Sequence, residues 1–199
     1  MKPVLFIDFD QTLCHDRFWR SMPDGEVAKI QKYLFVDNRK IVGRWMRGEF
    51  NSEEINELLA RGLKLQYDTL WKVFVSDCKS MNIADEHLYK LDKLENRYHR
   101  VLFTDNMDCF TRFTVPSLGL DKHFDKILNS WDLKRAKNEN EGALCLDVAR
   151  SFETEISRCV LADDSENSCE IFRKLGGKSM KVTKDQPLEY WLGSLLYQL

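Results

Sequence analysis

The sequence predicts an α/β fold in which a doubly wound parallel sheet carries a small all-helical domain inserted after the first strand. Short, continuous apolar runs alternate with stretches of helical periodicity, which is typical of parallel sheets covered on both faces. The interval between the first two runs, residues 15–99, is far longer than a single crossover helix requires. We therefore predict an α/β core at residues 1–14 and 100–199 and a helical insertion at residues 15–99.

Four apolar runs predict strands, at residues 4–7, 101–103, 126–128 and 159–162, and a weaker fifth run lies at residues 180–182. These runs lack the alternation expected of a half-exposed strand. The first four end in acidic or small polar residues. Because ligands of doubly wound sheets bind beyond the carboxyl ends of the strands, these polar residues mark the expected site.

Helical periodicity accounts for most of the remaining chain. In the insertion, a capping-box pattern from Asn51 to Glu54 predicts the start of one helix. The helices predicted for the whole chain cover residues 25–36, 55–65, 67–81, 85–98, 139–152, 167–175 and 188–199. Because the insertion directly follows an acidic strand end, we expect it to cover the site as a lid or cap. An enlarged helical layer without a gating role is the alternative.

The overall composition argues against several classes of function. The 30 basic and 32 acidic residues give a formal net charge of −2, so we expect no nucleic-acid or membrane partner. No apolar stretch approaches the roughly 20 residues that span a bilayer, and the N-terminal apolar run ends at Asp8, too early for a secretion signal. The six scattered cysteines lack metal-ligand spacing and predict buried, reduced thiols. We expect a cytoplasmic protein, either a monomer or a homodimer.

Two carboxylates follow the first apolar run and suggest phosphoryl chemistry. The period-2 spacing of Asp8 and Asp10 places both on the same side of an extended segment, so both can reach one ligand. One carboxylate can attack phosphorus while the other exchanges the proton, and Mg²⁺ prefers carboxylate oxygens. An Asp-x-Asp pattern alone is common in charged chains, so its significance depends on the other strand ends.

The order of these motifs resembles the haloacid dehalogenase-like (HAD) superfamily. Residues 8–12 resemble its first motif, Thr104 its second and residues 161–165 its fourth. Residues 124–130 and the segment ending at Lys137 resemble the stretch that carries the third-motif lysine. The resemblance covers essentially the whole chain, and the inserted helices resemble the helical (C1-type) cap of the superfamily. It implies a Rossmann-like core and a magnesium-dependent phosphatase acting on a small phosphorylated metabolite.

The resemblance also implies catalytic roles for particular residues. Asp8 is then the nucleophile that forms an aspartyl-phosphate, and Asp10 is the general acid and afterwards the general base. Thr104 binds a phosphoryl oxygen, and Lys137 offsets the negative charge of nucleophile and phosphate. Lys134 competes with Lys137 for this role, and Lys137 is favoured because the family lysine lies just before the next helix.

The metal and substrate contacts follow from the same resemblance. The implied magnesium ligands are Asp8, the backbone carbonyl of Asp10, and Asp164, with Asp163 in support. The backbone amide of Asp105 is the expected second donor to the phosphoryl group. The further substrate contacts predicted next to the site are Asn106, His15 and Trp19, accompanied by Cys14, Arg17 and Phe18. More distant candidates are Arg44, Trp45, Arg47 and Trp71, of which the two tryptophans are more typical of a core.

Three positions depart from the family pattern. Gln11 stands where glycine is usual, and Asn138 follows Lys137 where proline is common. After the acidic pair, Ser168 fills a slot usually taken by Asp or Asn, and Asn167 comes one position early. The departures at Gln11 and Asn167 motivate a second hypothesis, a non-catalytic HAD-like binding or regulatory protein.

Two related activities use much of the same chemistry. A phosphomutase uses the same groups, so it remains an alternative to a phosphatase. Haloacid dehalogenases use the aspartate nucleophile without magnesium and lack the second acidic residue of the first motif. Asp10 therefore favours phosphoryl transfer.

Overall fold

A computed structural model of the chain describes residues 1–197 and is organised around one five-stranded sheet. The strands are β1 (Val4–Ile7), β2 (His99–Thr104), β3 (Lys126–Asn129), β4 (Val160–Asp163) and β5 (Lys178–Lys181). They pair in the order β3-β2-β1-β4-β5, and every pairing is parallel. The predicted parallel sheet is confirmed, although β5 begins two residues before the predicted fifth run.

Ten α-helices lie in the described part of the chain. They are α1 (Asp24–Gln31), α2 (Arg39–Met46), α3 (Ser52–Leu63), α4 (Tyr67–Lys79), α5 (Asp85–Lys93), α6 (Val115–Leu118), α7 (Ser130–Leu133), α8 (Ala143–Ser151), α9 (Glu166–Lys174) and α10 (Leu188–Tyr197). Wider π-helical turns occupy Lys32–Asp37 and Phe110–Thr114, and 3₁₀ turns occupy Leu120–Lys122, Glu139–Gly142 and Ile156–Arg158.

Helices cover both faces of the sheet because its strands are apolar on both sides. Side chains alternate along β1, so Leu5 and Ile7 pack towards α5 and α10. Val4 and Phe6 pack on the opposite face, among residues of α8 and α9. The four side chains of β1 are 0% exposed, which fixes this strand at the centre of the core. The doubly wound α/β architecture predicted from the sequence is confirmed.

The helices α1–α5 all lie between β1 and β2, where the sequence predicts an all-helical insertion. The first four of them share an apolar core around the buried rings of Trp19, Trp45 and Phe74. α5 instead packs on the sheet beside α10. The boundary of a separate cap domain at residues 15–99 therefore stays a prediction.

The predicted helix over residues 139–152 is wrong in its first turn. Asn140 and Glu141 adopt left-handed backbone conformations with φ of 51° and 55°, which cannot continue a right-handed helix. Gly142 is also left-handed at φ 77°, and a Cβ there would approach Ile171 Cγ2 to 2.7 Å. Regular α-helix therefore begins only at Ala143.

The other helix predictions differ from the structure mainly at the ends. The helix predicted over residues 25–36 ends at Gln31 and continues as a π-helical turn, and the one predicted over 85–98 ends at Lys93. α2 was not predicted as a separate helix. The C-terminal helix packs on the core with Leu188, Leu192 and Leu195, and the last two residues of its predicted range, 198–199, lie outside the described residues.

The capping box predicted at the start of α3 is confirmed. The Asn51 side chain accepts a hydrogen bond from the Glu54 amide at 2.9 Å, and the Glu54 carboxylate accepts one from the Asn51 amide at 2.8 Å. Reciprocal bonds of this kind satisfy donors that the first turn of a helix leaves free.

A buried carboxylate joins the insertion to the segment after β2. Asp108 is 0% exposed. Its carboxylate accepts hydrogen bonds from Trp45 Nε1 at 2.8 Å and from the hydroxyl and amide of Ser52 at 2.7 and 3.1 Å. Arg112 Nη1 lies 2.7 Å from the same carboxylate and neutralises it. A fully buried charge is tolerated here because every contact is charge-assisted.

The substitution Asp108→Ala is therefore expected to destabilise the protein by about 3–5 kcal/mol, because it leaves the indole, the Ser52 donors and Arg112 without their partner. Guanidinium unfolding followed by circular dichroism measures the change. Asp121→Ala, at an exposed turn, is the control and is expected to change the stability by less than about 0.5 kcal/mol. Equal stabilities for the two variants would contradict this account of the buried carboxylate.

Candidate active site

The residues of the predicted motifs converge at the carboxyl edge of the sheet. β1 lies between β2 and β4, so the chain reverses its direction of winding at β1. Asp8 directly follows β1, and its amide donates to the carbonyl of Ala162 in β4 at 3.0 Å. Thr104 ends β2 and Asp163 ends β4. This is the switch point at which doubly wound sheets bind ligands.

Three carboxylates form a cluster at this edge. Oxygen atoms of Asp8, Asp163 and Asp164 all lie within 4.8 Å of one another. Asp8 is 5% exposed, Asp163 is 0% exposed and Asp164 is partly buried. Three carboxylates this close repel one another in a poorly hydrated position, so the cluster requires positive charge.

Lys137 supplies part of that charge. Its Nζ lies 3.0 Å from Asp8 Oδ1 and 2.7 Å from Asp163 Oδ2. Its backbone amide donates to the Asp105 carboxylate at 2.7 Å, which positions the lysine relative to the end of β2. The competing Lys134 instead places Nζ 3.5 Å from the centre of the Trp131 ring. Of the two candidate lysines, the structure therefore brings only Lys137 to the carboxylates.

The protonation of these groups reflects their burial. Burial raises the pKa of the Asp8 carboxyl to about 7, and the charge of Lys137 opposes that rise. Burial lowers the pKa of Lys137, but the neighbouring charges of Asp8 and Asp163 outweigh burial and leave it above its usual range. Burial, together with the charge of Asp163, raises the pKa of Asp164. Lys137 therefore stays protonated, and additional positive charge at the cluster would favour ionised Asp8.

Thr104 carries a buried hydroxyl without a protein partner. The residue is 1% exposed, and its Oγ1 makes no hydrogen bond with any part of the chain that the structure describes. An unpartnered buried hydroxyl costs about 1–3 kcal/mol, so a ligand oxygen at this position would satisfy it. The role expected from the sequence, binding a phosphoryl oxygen, fits this observation better than helix capping does.

The two residues after Thr104 shape the loop beside the cluster. The Asp105 carboxylate receives the amide of Lys137, and burial raises the pKa of Asp105. The amide of Asn106 donates to Asn129 Oδ1 at 3.2 Å and to Ser130 Oγ at 3.0 Å. These hydrogen bonds to residues at the end of β3 were not predicted. They use the backbone amide of Asn106 to hold the loop in place. Asp105 and Asn106 also line a cavity at the site.

Among the described residues 1–197, Asp10 is not a member of the carboxylate cluster. Its side chain is half exposed and forms an ion pair with Arg17. The intervening Gln11 has φ of 58°, the left-handed conformation that glycine adopts most readily. Thr12, in the same motif, accepts a hydrogen bond from the Asp164 amide at 3.0 Å and ties the first motif to the fourth.

The other two departures from the family pattern contact each other. Asn138 Nδ2 donates to Ser168 Oγ at 3.0 Å, which joins the Lys137 loop to α9. Ser165 caps that helix, and its amide donates to Asp163 Oδ1 at 2.8 Å. Asn167 is exposed.

A cavity of about 280 Å³ lies between the insertion and the ends of β1 and β2. The core contributes Asp10, Asp105 and Asn106 to its lining, and the insertion contributes Arg17 and Phe18. It provides space for a ligand next to Asp105, whose carboxylate accepts the Lys137 amide.

The residues predicted to contact the substrate lie in different parts of the structure. Trp19 was a wrong choice for substrate contact, because it is 0% exposed and donates to Asn56 Oδ1 at 3.1 Å inside the insertion. His15 is exposed and lines a separate cavity that includes Asp164. Of the remaining candidates, Cys14 and Trp45 are buried, and Trp71 packs inside the insertion. Arg44 forms an ion pair with Glu49, and Arg47 forms one with Glu139.

All six cysteines lie within residues 1–197, where they are unpaired and buried, as predicted. None of the helices described over the same residues has the length and apolar character needed to cross a membrane.

Comparison with solved structures identifies the fold. A HAD family enzyme from Bacteroides thetaiotaomicron, in complex with magnesium and inorganic phosphate, superimposes with a TM-score of 0.67 at 19% identity, over 92% of this chain and 95% of that one. A predicted HAD-like family hydrolase from Porphyromonas gingivalis gives 0.70 at 17% identity over the whole of both chains.

The protein has the HAD-like fold.

The same fold also occurs in an enzyme that is named for dehalogenation. A 2-haloacid dehalogenase from Pseudomonas syringae pv. Tomato DC3000 gives a TM-score of 0.60 at 15% identity, over 92% of this chain and 86% of that one. No protein-family model matches the sequence, and neither does any curated protein. At identities this low, the HAD-like fold is established and the reaction must be argued from the site.

Replacement of the lysine tests the charge balance of the cluster. Lys137→Met is expected to destabilise the protein by about 3–5 kcal/mol at neutral pH, because it leaves Asp8 and Asp163 without their cation. Urea unfolding without divalent cations measures the loss. Lys134→Met removes only an exposed cation–π contact and is expected to cost less than about 1 kcal/mol. A Lys137 variant as stable as the Lys134 variant would show that the ion pairs do not hold the cluster.

Proposed function

We propose that the protein is a magnesium-dependent phosphatase that hydrolyses a small phosphomonoester through an aspartyl-phosphate on Asp8. The proposal rests above all on the carboxylate cluster, in which Asp8, Asp163 and Asp164 lie within 4.8 Å of one another beside Lys137. The unpartnered hydroxyl of Thr104 at the same edge supports it. The HAD family enzyme from Bacteroides thetaiotaomicron, solved with magnesium and inorganic phosphate, offers a parallel.

The donor set fits magnesium. It consists of carboxylate oxygens, which are the hard ligands that this ion prefers. Asp8, Asp164 and the backbone carbonyl of Asp10 are the proposed ligands. Asp163 has a supporting role, because its two oxygens already accept hydrogen bonds from Lys137 and from the Ser165 amide. When bound, the ion supplies positive charge that neutralises the phosphoryl group.

In the first proposed step, Asp8 attacks phosphorus and the bond to the leaving oxygen breaks. Asp10 gives that oxygen its proton, so the alcohol departs neutral and an aspartyl-phosphate remains on Asp8. Lys137 contacts Asp8 directly and orients its carboxylate. Thr104 Oγ1 donates to a phosphoryl oxygen and is thereby satisfied.

In the second proposed step, Asp10 takes a proton from water, which attacks phosphorus and releases inorganic phosphate from Asp8. Asp10 is suited to both steps because it lines the cavity where an alcohol or a water molecule can enter. In the structure its carboxylate is paired with Arg17, so Asp10 carries the proton of the first step only when this ion pair is released. The proton that Asp10 loses in the first step is thus recovered in the second.

Three alternatives remain within the fold. A phosphomutase would return the phosphoryl group to another hydroxyl instead of to water. A haloacid dehalogenase is suggested by the likeness to the Pseudomonas syringae enzyme, but Asp10 and the carboxylate cluster favour phosphoryl chemistry. A non-catalytic protein was suggested by the departures from the family pattern. The left-handed Gln11 and the Asn138–Ser168 hydrogen bond weaken that suggestion.

Phosphate release from phenyl phosphate, with magnesium or with EDTA, tests the proposal. Asp8→Asn is expected to lower turnover by about 10⁴-fold or more, because it removes the bond-forming oxygen. Asp10→Asn is expected to lower it by about 10²–10⁴-fold. Asp147→Asn, a 57% exposed aspartate on α8, is the matched control and should retain wild-type activity. Activity that survives EDTA or Asp8→Asn, or halide release from a 2-haloalkanoate without metal, would overturn the proposal.

Two substitutions of Thr104 are expected to differ in their activity in the same assay. Thr104→Val keeps the shape of the side chain but removes the hydroxyl, and it is expected to lower kcat by on the order of 100-fold. Thr104→Ser keeps the hydroxyl and is expected to retain most of the activity. Because Oγ1 has no protein partner in the described chain, Thr104→Val should unfold no earlier than wild type on heating. A serine variant as inactive as the valine variant would assign Thr104 a packing role.

A further inference from the structure

The cavity beside the carboxylate cluster has a composition that restricts the leaving group. Half of its lining is aromatic or thioether in character: Phe9, Phe18, Phe35, Met46, Met81 and Met107. Methionine and phenylalanine side chains offer polarizable apolar surface and few hydrogen bonds. The polar lining comes in equal parts from the core, with Asp10, Asp105 and Asn106, and from the insertion, with Asp16, Arg17 and Gln31. The four apolar side chains that the insertion contributes, Phe18, Phe35, Met46 and Met81, offer a surface that suits an apolar group.

The charges of the lining disfavour an anionic leaving group. Among the described residues that line the cavity, three are carboxylates, Asp10, Asp16 and Asp105, and one is a guanidinium, Arg17. Arg17 is already ion-paired with Asp10. A second anionic group on the substrate would therefore meet excess negative charge.

The carboxylate of Asp16, which belongs to the insertion, also has partners already. Asp16 accepts a hydrogen bond from the Asn82 amide at 2.8 Å and lies 3.4 Å from Arg20 Nε. Asp10 is paired with Arg17, and Asp105 accepts the Lys137 amide, so each of the three carboxylates already has a partner and none is left for a cationic leaving group. Arg44 and Arg47 form ion pairs with Glu49 and Glu139 and do not line the cavity.

The volume of the cavity gives an upper limit for the size of the leaving group. Its volume of about 280 Å³ lies just below the range of about 300–1,000 Å³ that is usual for pockets holding drug-sized ligands. We infer that the cavity accepts the leaving group of the substrate and that this group is a small, uncharged alcohol or phenol with a largely apolar body, about one ring in size. This inference rests on the proposed phosphatase function.

The test compares three esters of the same shape and different charge. They are 3-(hydroxymethyl)phenyl phosphate, 3-carboxyphenyl phosphate and 3-(aminomethyl)phenyl phosphate. The neutral ester is expected to have a kcat/KM at least about tenfold above each charged ester, because a charge brought into this cavity loses hydration without gaining a partner. Equal values, or a preference for either charged ester, would overturn the inference while leaving the phosphatase function intact.

Two neighbouring substitutions locate the effect. Phe35 lines the cavity, whereas Val36 beside it is 70% exposed and does not. Phe35→Ser is expected to lower kcat/KM for the neutral ester by about tenfold, and Val36→Ser should not change it. Phe35→Lys is expected to raise the relative kcat/KM of the carboxyphenyl ester. Thermal unfolding of each variant verifies that the fold is kept. The inference fails if Phe35→Ser and Val36→Ser behave alike.

A binding measurement without magnesium separates the inference from the proposed reaction. Saturation-transfer NMR with the free phenols is expected to detect 3-(hydroxymethyl)phenol on the wild-type protein, more weakly on Phe35→Ser, and to detect no 3-hydroxybenzoate. If no ester is hydrolysed but this binding pattern is found, the phosphatase function fails and the ligand class stands. If 3-hydroxybenzoate binds as well as the neutral phenol, the inferred ligand class is wrong whether or not phosphate is released.

Discussion

The contacts of Lys137 with Asp8 and Asp163 are the interaction on which the site depends. The two carboxylates end neighbouring strands and are almost fully buried, so they would repel each other without a cation between them. The lysine neutralises part of this charge at 3.0 and 2.7 Å. Asp164 adds a third carboxylate that the lysine does not contact. The excess negative charge explains why the cluster suits a divalent cation.

The insertion is held against the core at several points, and these contacts give the cavity its shape. Asp108 after β2 accepts hydrogen bonds from Trp45 and Ser52, whose helices belong to the insertion. Trp131 Nε1 donates to the Phe50 carbonyl at 2.8 Å, on the side of the site that carries Lys137. The insertion can therefore provide an apolar wall at a fixed distance from the catalytic loops. In the proposed function, the strand ends supply the reacting groups and this wall selects the leaving group.

The family departures show where sequence reasoning succeeds and where it stops. Gln11, which departs from the family pattern, adopts the left-handed backbone conformation that glycine adopts most readily. Asn138 and Ser168, two further departures, form a hydrogen bond with each other. A pattern read along the chain identifies an unusual residue at each position. It does not reveal that two unusual residues, one after Lys137 and one in α9, have become partners.

The sequence by itself determined the strands, their parallel arrangement and the acidic residues at their ends, because apolar runs and strand-end motifs are local features. It did not settle the choice between Lys137 and Lys134, which depends on which ammonium group the fold brings to Asp8. Trp19 and Arg17 are only two residues apart, yet one is buried in the insertion and the other pairs with Asp10 at the cavity. Tertiary structure decided these outcomes, since burial and ion pairing depend on segments distant in the chain.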